Sequence, residues 1–217
     1  MTFGAWNMRT LLDRDENVCP ERKTAIVARE LLRYDVDVAA LSETHLAEEG
    51  ELVEHGAGYT FFWKGLDASK PRRSGVGFTI KNRLVKQLQE CPIHISDRVT
   101  TLRLHIDNDK YLNVIGAYAP TLDKSDDIKD QFYEELAKCI ESVGPGELIL
   151  LLGDFNARDV RDYDAWPKVL GNHGVGCMNS NGHLLLSLCA QFKLATSTMF
   201  RLPAKYKNTW MHPRSKH

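Results

Sequence analysis

Short apolar runs separated by turn-forming residues predict a chain built mainly of strands. Residues 2–8, 36–41, 59–63 and 76–80 each contain a few consecutive apolar or aromatic side chains. Their lengths match single strands rather than helices, and the last of them follows the turn-forming pair Ser74-Gly75. We therefore predict four short strands in the first 80 residues of the chain.

A clear alternation of apolar and polar residues marks the next pair of elements. Within residues 99–107, VTTLRLHID, every second residue from Leu102 to Ile106 is apolar and the residues between them are polar. This is the pattern of a strand with one face in solvent. Residues 111–118 follow after Asn108-Asp109, a pair that favours turns. We predict that the two segments form an antiparallel hairpin.

Three segments have the residue pattern of helices. The first begins at Pro20 and ends near Tyr34, and the last covers residues 182–192. Between them, Ser125 is predicted to cap a helix. That helix has one apolar stripe, predicted to be buried, whose members lie four residues apart: Ile128, Phe132, Leu136 and Ile140.

The longest aliphatic run, residues 148–152, ends abruptly at Gly153-Asp154-Phe155-Asn156. Because it shows no alternation, we predict a strand covered on both faces, deep inside a sheet. Residues two apart on a strand point the same way, so Asp154 and Asn156 are expected to converge on one pocket. Many strands with helices outside them predict a mixed α/β sandwich rather than a doubly wound parallel sheet.

Three predicted strands end in polar side chains that suit phosphate chemistry. Asn7 follows the first strand, Glu43 the second, and Asp154 the aliphatic run. Their oxygens are hard ligands of the kind that Mg²⁺ prefers, and Mg²⁺ keeps places for water and substrate phosphate. Any one of them could simply cap a strand or a turn. Their recurrence at three strand ends favours a phosphodiester site.

Composition narrows the class of protein. The 217 residues carry 28 basic and 29 acidic side chains, so a polyanion could bind only at a local patch. Five scattered cysteines without a CxxC pair indicate reduced thiols in an intracellular protein. No signal peptide, membrane span, repeat or linker interrupts the chain, so we expect a single domain over residues 1–217 without membrane partners.

Five motifs, taken together, resemble the endonuclease/exonuclease/phosphatase superfamily. They occur in the order and approximate spacing of that superfamily. The resemblance is strongest to the endonuclease domains of non-LTR (LINE-type) retrotransposons and to craniofacial-development-protein-like relatives, and it covers nearly the whole chain. The motifs are WNMRT, LSETH, GVGF, GAYAPT and LLLGDFNAR.

The resemblance implies a fold and an activity. The expected fold is a four-layer sandwich of two mixed, largely antiparallel sheets flanked by helices. The expected activity is phosphodiester hydrolysis with Mg²⁺, or Mn²⁺, held with the help of Asn7 and Glu43. Tyr118 would approach the scissile phosphate, Asp154 would handle a proton on the attacking water or leaving oxygen, and Asn156 would orient the phosphate or water.

The sequence departs from the family pattern near its end. Family members carry a further Asp and an Asp-His pair near the last strand, and no Asp-His dipeptide occurs here. His212 and His217 do not follow an Asp and are poor substitutes. We therefore expect a domain that is incomplete at its C-terminus, lacks the last strands and has weak or no nuclease activity.

Two basic segments are candidate DNA contacts. Residues 201–217 contain no acid and interleave basic with aromatic side chains, and a second basic loop surrounds residue 72. Either could be an ordinary solvated surface, and one further candidate, at position 181, could instead cap a helix. The predicted nucleic-acid contacts are Arg72, Arg73, Asn181, Lys205, Lys207 and Trp210.

Three functions remain open on the sequence. The first is a retrotransposon-type endonuclease that nicks DNA in the nucleus and leaves a 3′ hydroxyl, fused to a reverse transcriptase in a longer parent. The second is an inactive relative that binds DNA or a protein partner, which the missing Asp-His pair favours. The third is a phosphatase of the same superfamily. The sequence leaves the oligomeric state open.

Overall fold

The computed structural model describes most of the chain, in two compact units. The first unit comprises Met1–Pro120 and Glu134–Asp154, and the second comprises Thr121–Tyr133 and the described residues from Phe155 onward. The prediction of a single domain over the whole chain stays a prediction. The described residues are 1–13, 21–71, 73–108, 110–158, 164–171, 173–174, 177–201 and 203.

The first sheet lies in the first unit and has the strand order β1-β2-β5-β4-β3. The pair β1 and β2 is parallel, and the other neighbouring pairs are antiparallel. All four strands predicted in this part of the chain are confirmed, and β3 was not predicted. The bounds are β1 Phe3–Asn7, β2 Val38–Ser42, β3 Glu49–Glu54, β4 Tyr59–Lys64 and β5 Val76–Lys81.

The second sheet, also in the first unit, has the order β6-β7-β8-β9. The predicted antiparallel hairpin is confirmed as β7 and β8, and Asn108 in its turn has the left-handed φ of 38°. β9 is parallel to β8. The bounds are β6 Ile93–His94, β7 Val99–Asp107, β8 Lys110–Tyr118 and β9 Leu148–Asp154.

The two sheets enclose the main core of the first unit. Strands β2, β4 and β5 of one sheet and β7 and β8 of the other bury their facing side chains together. Each large side chain removed from water contributes about 1.5–3 kcal/mol before the entropy of ordering is subtracted. The buried members are Val38, Ala40, Phe62, Phe78, Ile80, Leu84, Leu102, Leu104 and Val114.

Helices cover the outer faces of both sheets. Helix α1, Lys23–Arg33, packs Val27, Ala28 and Leu31 against the first sheet. A short helix α2, Asn82–Val85, follows β5. The second half of α3, Asp126–Glu141, and the residues after it line a groove of about 350 Å³ with the outer face of β7 and β8. The first unit therefore has four layers, as the fold prediction required.

The predicted apolar stripe of α3 is wrong at its first residue. Ile128 is 44% exposed, while Phe132, Leu136 and Ile140 are buried, so the stripe of α3 begins one turn later than predicted. Asp126 and Asp127 before Ile128 are exposed as well, whereas Lys129 after it is buried, so the first turn of α3 does not present its apolar residue to the core.

Within the described part of the chain, the aliphatic strand β9 lies at the edge of its sheet and is not covered on both faces as predicted. Among the described residues it pairs with β8 alone, and Leu148 is 54% exposed. An unbroken apolar run shows that neither face is polar, but it carries no information on how many strands lie beside it. The position of β9 within its sheet therefore could not be predicted from the hydrophobic pattern.

The second unit has its own small core around helix α4, Ser180–Phe192. Leu186 and Cys189 of α4 pack with Val169 and Leu170. Burial raises the pKa of the Cys189 thiol to about 11, so it behaves as an apolar side chain. A short 3-10 helix follows at Ser197–Met199. No helix in the part of the chain that the structure describes is long and apolar enough to cross a membrane.

Candidate active site

Four of the predicted site residues stand at strand ends of the first unit. Because β1 and β2 are parallel, Asn7 ends level with Ser42, and Glu43 is the next residue. Because β8 and β9 are parallel, Tyr118 lies opposite Asp154 at the carboxyl ends of those strands. The topology of the two sheets thus delivers four polar side chains from distant parts of the sequence.

The Asn7 side chain joins the two carboxylates. Its Nδ2 donates one hydrogen bond to Glu43 Oε1 at 2.8 Å and a second to Asp154 Oδ2, also at 2.8 Å. These contacts bridge sequence separations of 36 and 147 residues. The remaining polar atom, Asn7 Oδ1, accepts from the Arg9 backbone N–H at 3.0 Å. One amide therefore fixes two acids whose charges repel each other.

Tyr118 completes the cluster from β8. Its hydroxyl donates to Glu43 Oε1 at 3.0 Å, and the side chain is buried. Burial first, and then the nearby Glu43 carboxylate, raise the pKa of Tyr118 well above its usual value. The phenol is therefore neutral near pH 7 and acts as a hydrogen-bond donor.

Arg98, which the sequence analysis missed, holds Tyr118 in place. Its guanidinium lies 5.0 Å from the centre of the Tyr118 ring, and its Nη1 donates to the Tyr118 carbonyl at 3.1 Å. The backbone N–H of Tyr118 in turn donates to the Arg98 carbonyl at 2.9 Å. In the observed register Val99 lies opposite Ala117, which brings Arg98 beside Tyr118, and the predicted hairpin carried no register that could have identified it.

The backbone around the cluster takes unusual conformations. Gly153 has a φ of 145°, and a Cβ there would overlap the Ala117 carbonyl, so only glycine lets β9 approach β8 just before Asp154. Glu43 has a left-handed φ of 54°, which is uncommon for a residue with a side chain. Such conformations persist only when the surrounding structure holds them.

The donor set suits a hard divalent cation. Two carboxylates and an amide oxygen provide the ligands that Mg²⁺ prefers. Across the described residues, no group of three or more His, Cys, Asp or Glu side chains could hold a metal. A cation bound by Glu43 and Asp154 would therefore keep several positions for water and substrate oxygen atoms, which is the usual situation for Mg²⁺ at phosphate sites.

Asn156 does not follow the alternation that was used to predict its position. β9 ends at Asp154, and Asn156 has a left-handed φ of 48°, so the rule for residues two apart on a strand does not reach it. In the second unit its carbonyl accepts from Asn179 Nδ2 at 3.0 Å. Its role in orienting phosphate or water stays a prediction.

Two of the predicted nucleic-acid contacts are described. Arg73 is exposed, and its backbone N–H donates to the Pro71 carbonyl at 2.9 Å. Asn181 is fully buried within α4, and its Nδ2 donates to the Phe155 carbonyl at 3.3 Å. Its DNA contact stays a prediction. Arg72, Lys205, Lys207 and Trp210 lie outside the described residues, as do His212 and His217.

The cap of α4 differs from the one suggested by the sequence. Asn179, and not Asn181, is the N-cap residue, and its side-chain oxygen accepts from the Gly182 N–H at 2.7 Å. Asn181 lies two positions inside the helix, where it cannot serve as the cap. A segment with two asparagines before the apolar run left the choice between them open.

With the fold and the cluster described, the comparison with known families is decisive. Residues 4–212 match the Endonuclease/Exonuclease/phosphatase family. The chain belongs to this family. The motifs that carry Asn7, Glu43, Tyr118 and Asp154 all lie within the matched range.

Two curated relatives resemble nearly the whole chain. Craniofacial development protein 2 of Bos taurus is 27% identical over 212 residues, which cover 97% of this chain and 33% of that protein. The Tragulus javanicus protein of the same name is 26% identical over 212 residues, covering 97% of this chain and 34% of that protein. The chain thus spans about one third of the length of these relatives.

Solved structures share only a loose overall likeness. ANGEL2, a 2′,3′-cyclic phosphatase, has a TM-score of 0.45 and 18% identity, covering 68% of this chain and 46% of that one. A D. rerio TDP2 humanized by 14 mutations has a TM-score of 0.43 and 16% identity, covering 74% of this chain and 63% of that one. The family match and the strand order of the two sheets carry the fold assignment.

Proposed function

We propose that this member of the family binds Mg²⁺ or Mn²⁺ through Glu43, Asp154 and Asn7 and hydrolyses phosphodiester bonds of DNA. The observation that carries the proposal is the Asn7 amide, which ties the Glu43 and Asp154 carboxylates together, while Tyr118 donates to Glu43 from a fourth strand. Such a cation supplies charge withdrawal from the phosphate and favours ionisation of water.

The residues of the chain then have separate roles. When substrate binds, the neutral Tyr118 phenol would turn its single O–H from Glu43 to a phosphate oxygen, where negative charge grows during hydrolysis. Asp154 takes the proton of the attacking water or passes one to the leaving oxygen, and Asn156 orients the phosphate or the water. Water attacks phosphorus, the bond from phosphorus to the 3′ oxygen breaks, and that oxygen leaves as a 3′ hydroxyl.

We extend the proposal to a retrotransposon-type endonuclease that acts in the nucleus as part of a longer parent carrying a reverse transcriptase. The ordered set of five motifs supports this assignment. The basic residues of the candidate DNA contacts, Arg72, Arg73, Lys205 and Lys207, would neutralise backbone phosphates, and Trp210 would stack or wedge. The 217 residues contain no Asp-His dipeptide, so this chain assayed alone lacks that pair as a general base, and its hydrolysis is expected to be slower by about 10²–10⁴-fold.

A plasmid-nicking assay tests the proposal. Supercoiled DNA is incubated with the 217-residue chain at high concentration, with Mg²⁺ or with chelator. Glu43→Ala and Asp154→Ala are compared with Glu51→Ala, a matched control on the exposed face of β3. We expect slow Mg²⁺-dependent nicking that both site variants reduce at least about tenfold and the control leaves unchanged. Equal nicking by all variants would contradict the proposed site.

A second candidate function is an inactive domain of the same fold that binds DNA or a protein partner. It is favoured by the observation that the 217 residues contain no Asp-His dipeptide, since a domain without this pair fits binding better than turnover. A folded preparation that retards DNA on a gel without nicking it, with or without Mg²⁺, would support this alternative. Hydrolysis of a small phosphoester without nicking would instead support a phosphatase.

A further inference from the structure

We infer that Thr44 and Gly75 are positioning residues for the Glu43 carboxylate. Their close packing holds the turn that aims Glu43 at Asn7 and Tyr118. The inference rests on the proposed function, because a role in cation binding is what makes the position of Glu43 measurable.

The turn after β2 has a backbone that its sequence does not favour. Glu43 has a φ of 54° and His45 a φ of 57°, so two residues with side chains occupy the left-handed region on either side of Thr44. Residues other than glycine rarely adopt this conformation without support from their surroundings. The contacts of Thr44 are therefore the place to look for that support.

Backbone hydrogen bonds hold the turn from two other segments. The Thr44 N–H donates to the Gly75 carbonyl and the His45 N–H donates to the Ser74 carbonyl, both at 3.1 Å. From the segment after β1, the Leu11 N–H donates to the Thr44 carbonyl at 2.8 Å. A displacement of Gly75 would therefore act directly on the residue that follows Glu43.

Gly75 packs so closely against the Thr44 turn that there is no room for a side chain at position 75. Its φ is 118°, and a Cβ at this position would overlap Thr44 Oγ1 and lie 3.3 Å from the His45 nitrogen. The Gly75 N–H is fixed on the other side by the Asp97 carbonyl at 3.1 Å. A larger residue at position 75 would displace either the start of β5, which begins at Val76, or the Thr44 turn.

The side chain of Thr44 contributes packing, whereas its backbone makes the hydrogen bonds. Its side chain is fully buried, and within the described part of the chain Oγ1 has no hydrogen-bond partner. The side chain thus fills the space between the turn and Gly75. A shift of about 1 Å in this packing would stretch the Glu43 contacts of 2.8 Å to Asn7 and 3.0 Å to Tyr118 beyond hydrogen-bond range.

The first test measures the affinity of the full chain for Mn²⁺ alone, by electron paramagnetic resonance of the free ion. Gly75→Ala is compared with Gly58→Ala, which has a positive φ of 75° but open space around a Cβ. We expect Gly75→Ala to weaken Mn²⁺ binding about 10–100-fold, as is typical when support of a metal ligand is lost. Gly58→Ala should stay within about twofold of the parent, and Glu43→Ala should abolish binding.

Rescue separates positioning from a general loss of folding. In Thr44→Ala/Gly75→Ala the atom that the new Cβ would overlap is gone, so we expect at least half of the lost affinity, on a logarithmic scale, to return. In Thr44→Val/Gly75→Ala a methyl group occupies the same space, and affinity should stay low. Equal affinity of the two double variants, or parent-like affinity of Gly75→Ala, would overturn the inference.

A second readout needs no metal. Amide hydrogen exchange of Thr44 and His45 reports their bonds to Gly75 and Ser74 directly. We expect at least about tenfold faster exchange in Gly75→Ala and parent-like exchange in Gly58→Ala. Unchanged exchange in Gly75→Ala overturns the inference. If exchange rises as expected but the parent chain binds no Mn²⁺, the packing is supported and the proposed function fails.

Discussion

A carboxylate lies at each end of strand β2, and the two carboxylates accept hydrogen bonds from different kinds of donor. Asp37, just before the strand, accepts from Lys81 Nζ at 3.0 Å, from Arg83 Nη2 and from the Thr2 N–H at 2.8 Å. Glu43, just after the strand, accepts from the neutral Asn7 amide and the neutral Tyr118 phenol. Among the described residues Glu43 takes part in no ion pair.

The electrostatics of the Asp37 end are those of a structural site. Burial opposes ionisation of this carboxyl, but the bonds from Thr2, Lys81 and Arg83 outweigh burial and lower its pKa. Its side chain is 8% exposed and that of Lys81 is 11% exposed, so the pair is held away from bulk water. Protein cations compensate the charge at this end.

The Glu43 end places a second acid beside the first. There Asn7 brings the Asp154 carboxylate to the same amide that binds Glu43. Two carboxylates held together by a shared amide form a place where a solvent cation is stabilised. The comparison teaches that two acids at the ends of one strand can differ in the groups that hold them: protein cations at Asp37 and neutral donors at Glu43.

The largest effect is expected at the structural end. Asp37→Ala should lower the free energy of unfolding by about 3 kcal/mol, because among the described residues it leaves the buried Lys81 ammonium with the exposed Asp35 as its one acidic partner. Urea denaturation measures the change. The control Asp35→Asn keeps the left-handed backbone of that residue and should cost less than about 1 kcal/mol. Similar losses in both variants would remove the distinction.

At the other end, neutralising an acid should not destabilise the fold. Glu43→Gln keeps an oxygen that accepts from Asn7 and Tyr118 while it removes repulsion from Asp154, so stability in chelator should stay within about 1 kcal/mol of the parent or rise. The same denaturation experiment checks this. A loss above about 2 kcal/mol would mean that Glu43 is structural, like Asp37.

The pH dependence of stability sharpens the comparison. Because the folded-state pKa of Asp37 is lowered, its contribution is present above its unfolded value of about 4 and is lost as pH falls through the folded pKa. The stability difference between the parent and Asp37→Asn should therefore be largest at pH 5–7 and shrink below about pH 4. Unfolding series from pH 7 to pH 2 measure it, and a constant difference would contradict the assignment.

The smallest expected effect concerns the tyrosine. Tyr118→Phe removes one hydrogen bond to Glu43 and should cost about 1 kcal/mol. Tyr34→Phe is the control, since Tyr34 is 61% exposed, and it should change stability by less than about 0.5 kcal/mol. Thermal or urea unfolding of the two variants checks the pair, and an equal effect would show that the Tyr118 bond contributes nothing.

The sequence predicted the strands and helices themselves better than it predicted which elements pack beside them. Period and length identified β7, β8 and the first strands because these signals are local. The edge position of β9 depends on which strands pair beside it, and the exposure of Ile128 depends on what covers the first turn of α3. Both are tertiary properties that no window of sequence contains.

The site was predicted in part for the same reason. Strand ends identified Asn7, Glu43 and Asp154 as a group, but the bridging of both acids by one amide spans 147 residues and is a product of topology. Asn156 was placed by strand alternation, which stops where β9 ends. Arg98 was missed because a single basic residue before a strand carries no pattern of its own.

The most direct test of the central claim is the Mg²⁺-dependent shift in Tm of the parent, Asp37→Asn and Glu43→Gln. At Mg²⁺ ten times above its Kd, we predict that the parent and Asp37→Asn gain about 3–5 °C, because the cation binds only the folded chain. Glu43→Gln should gain less than about 1 °C. The same gain in Glu43→Gln as in the parent would contradict the claim that this end of β2 is the cation site.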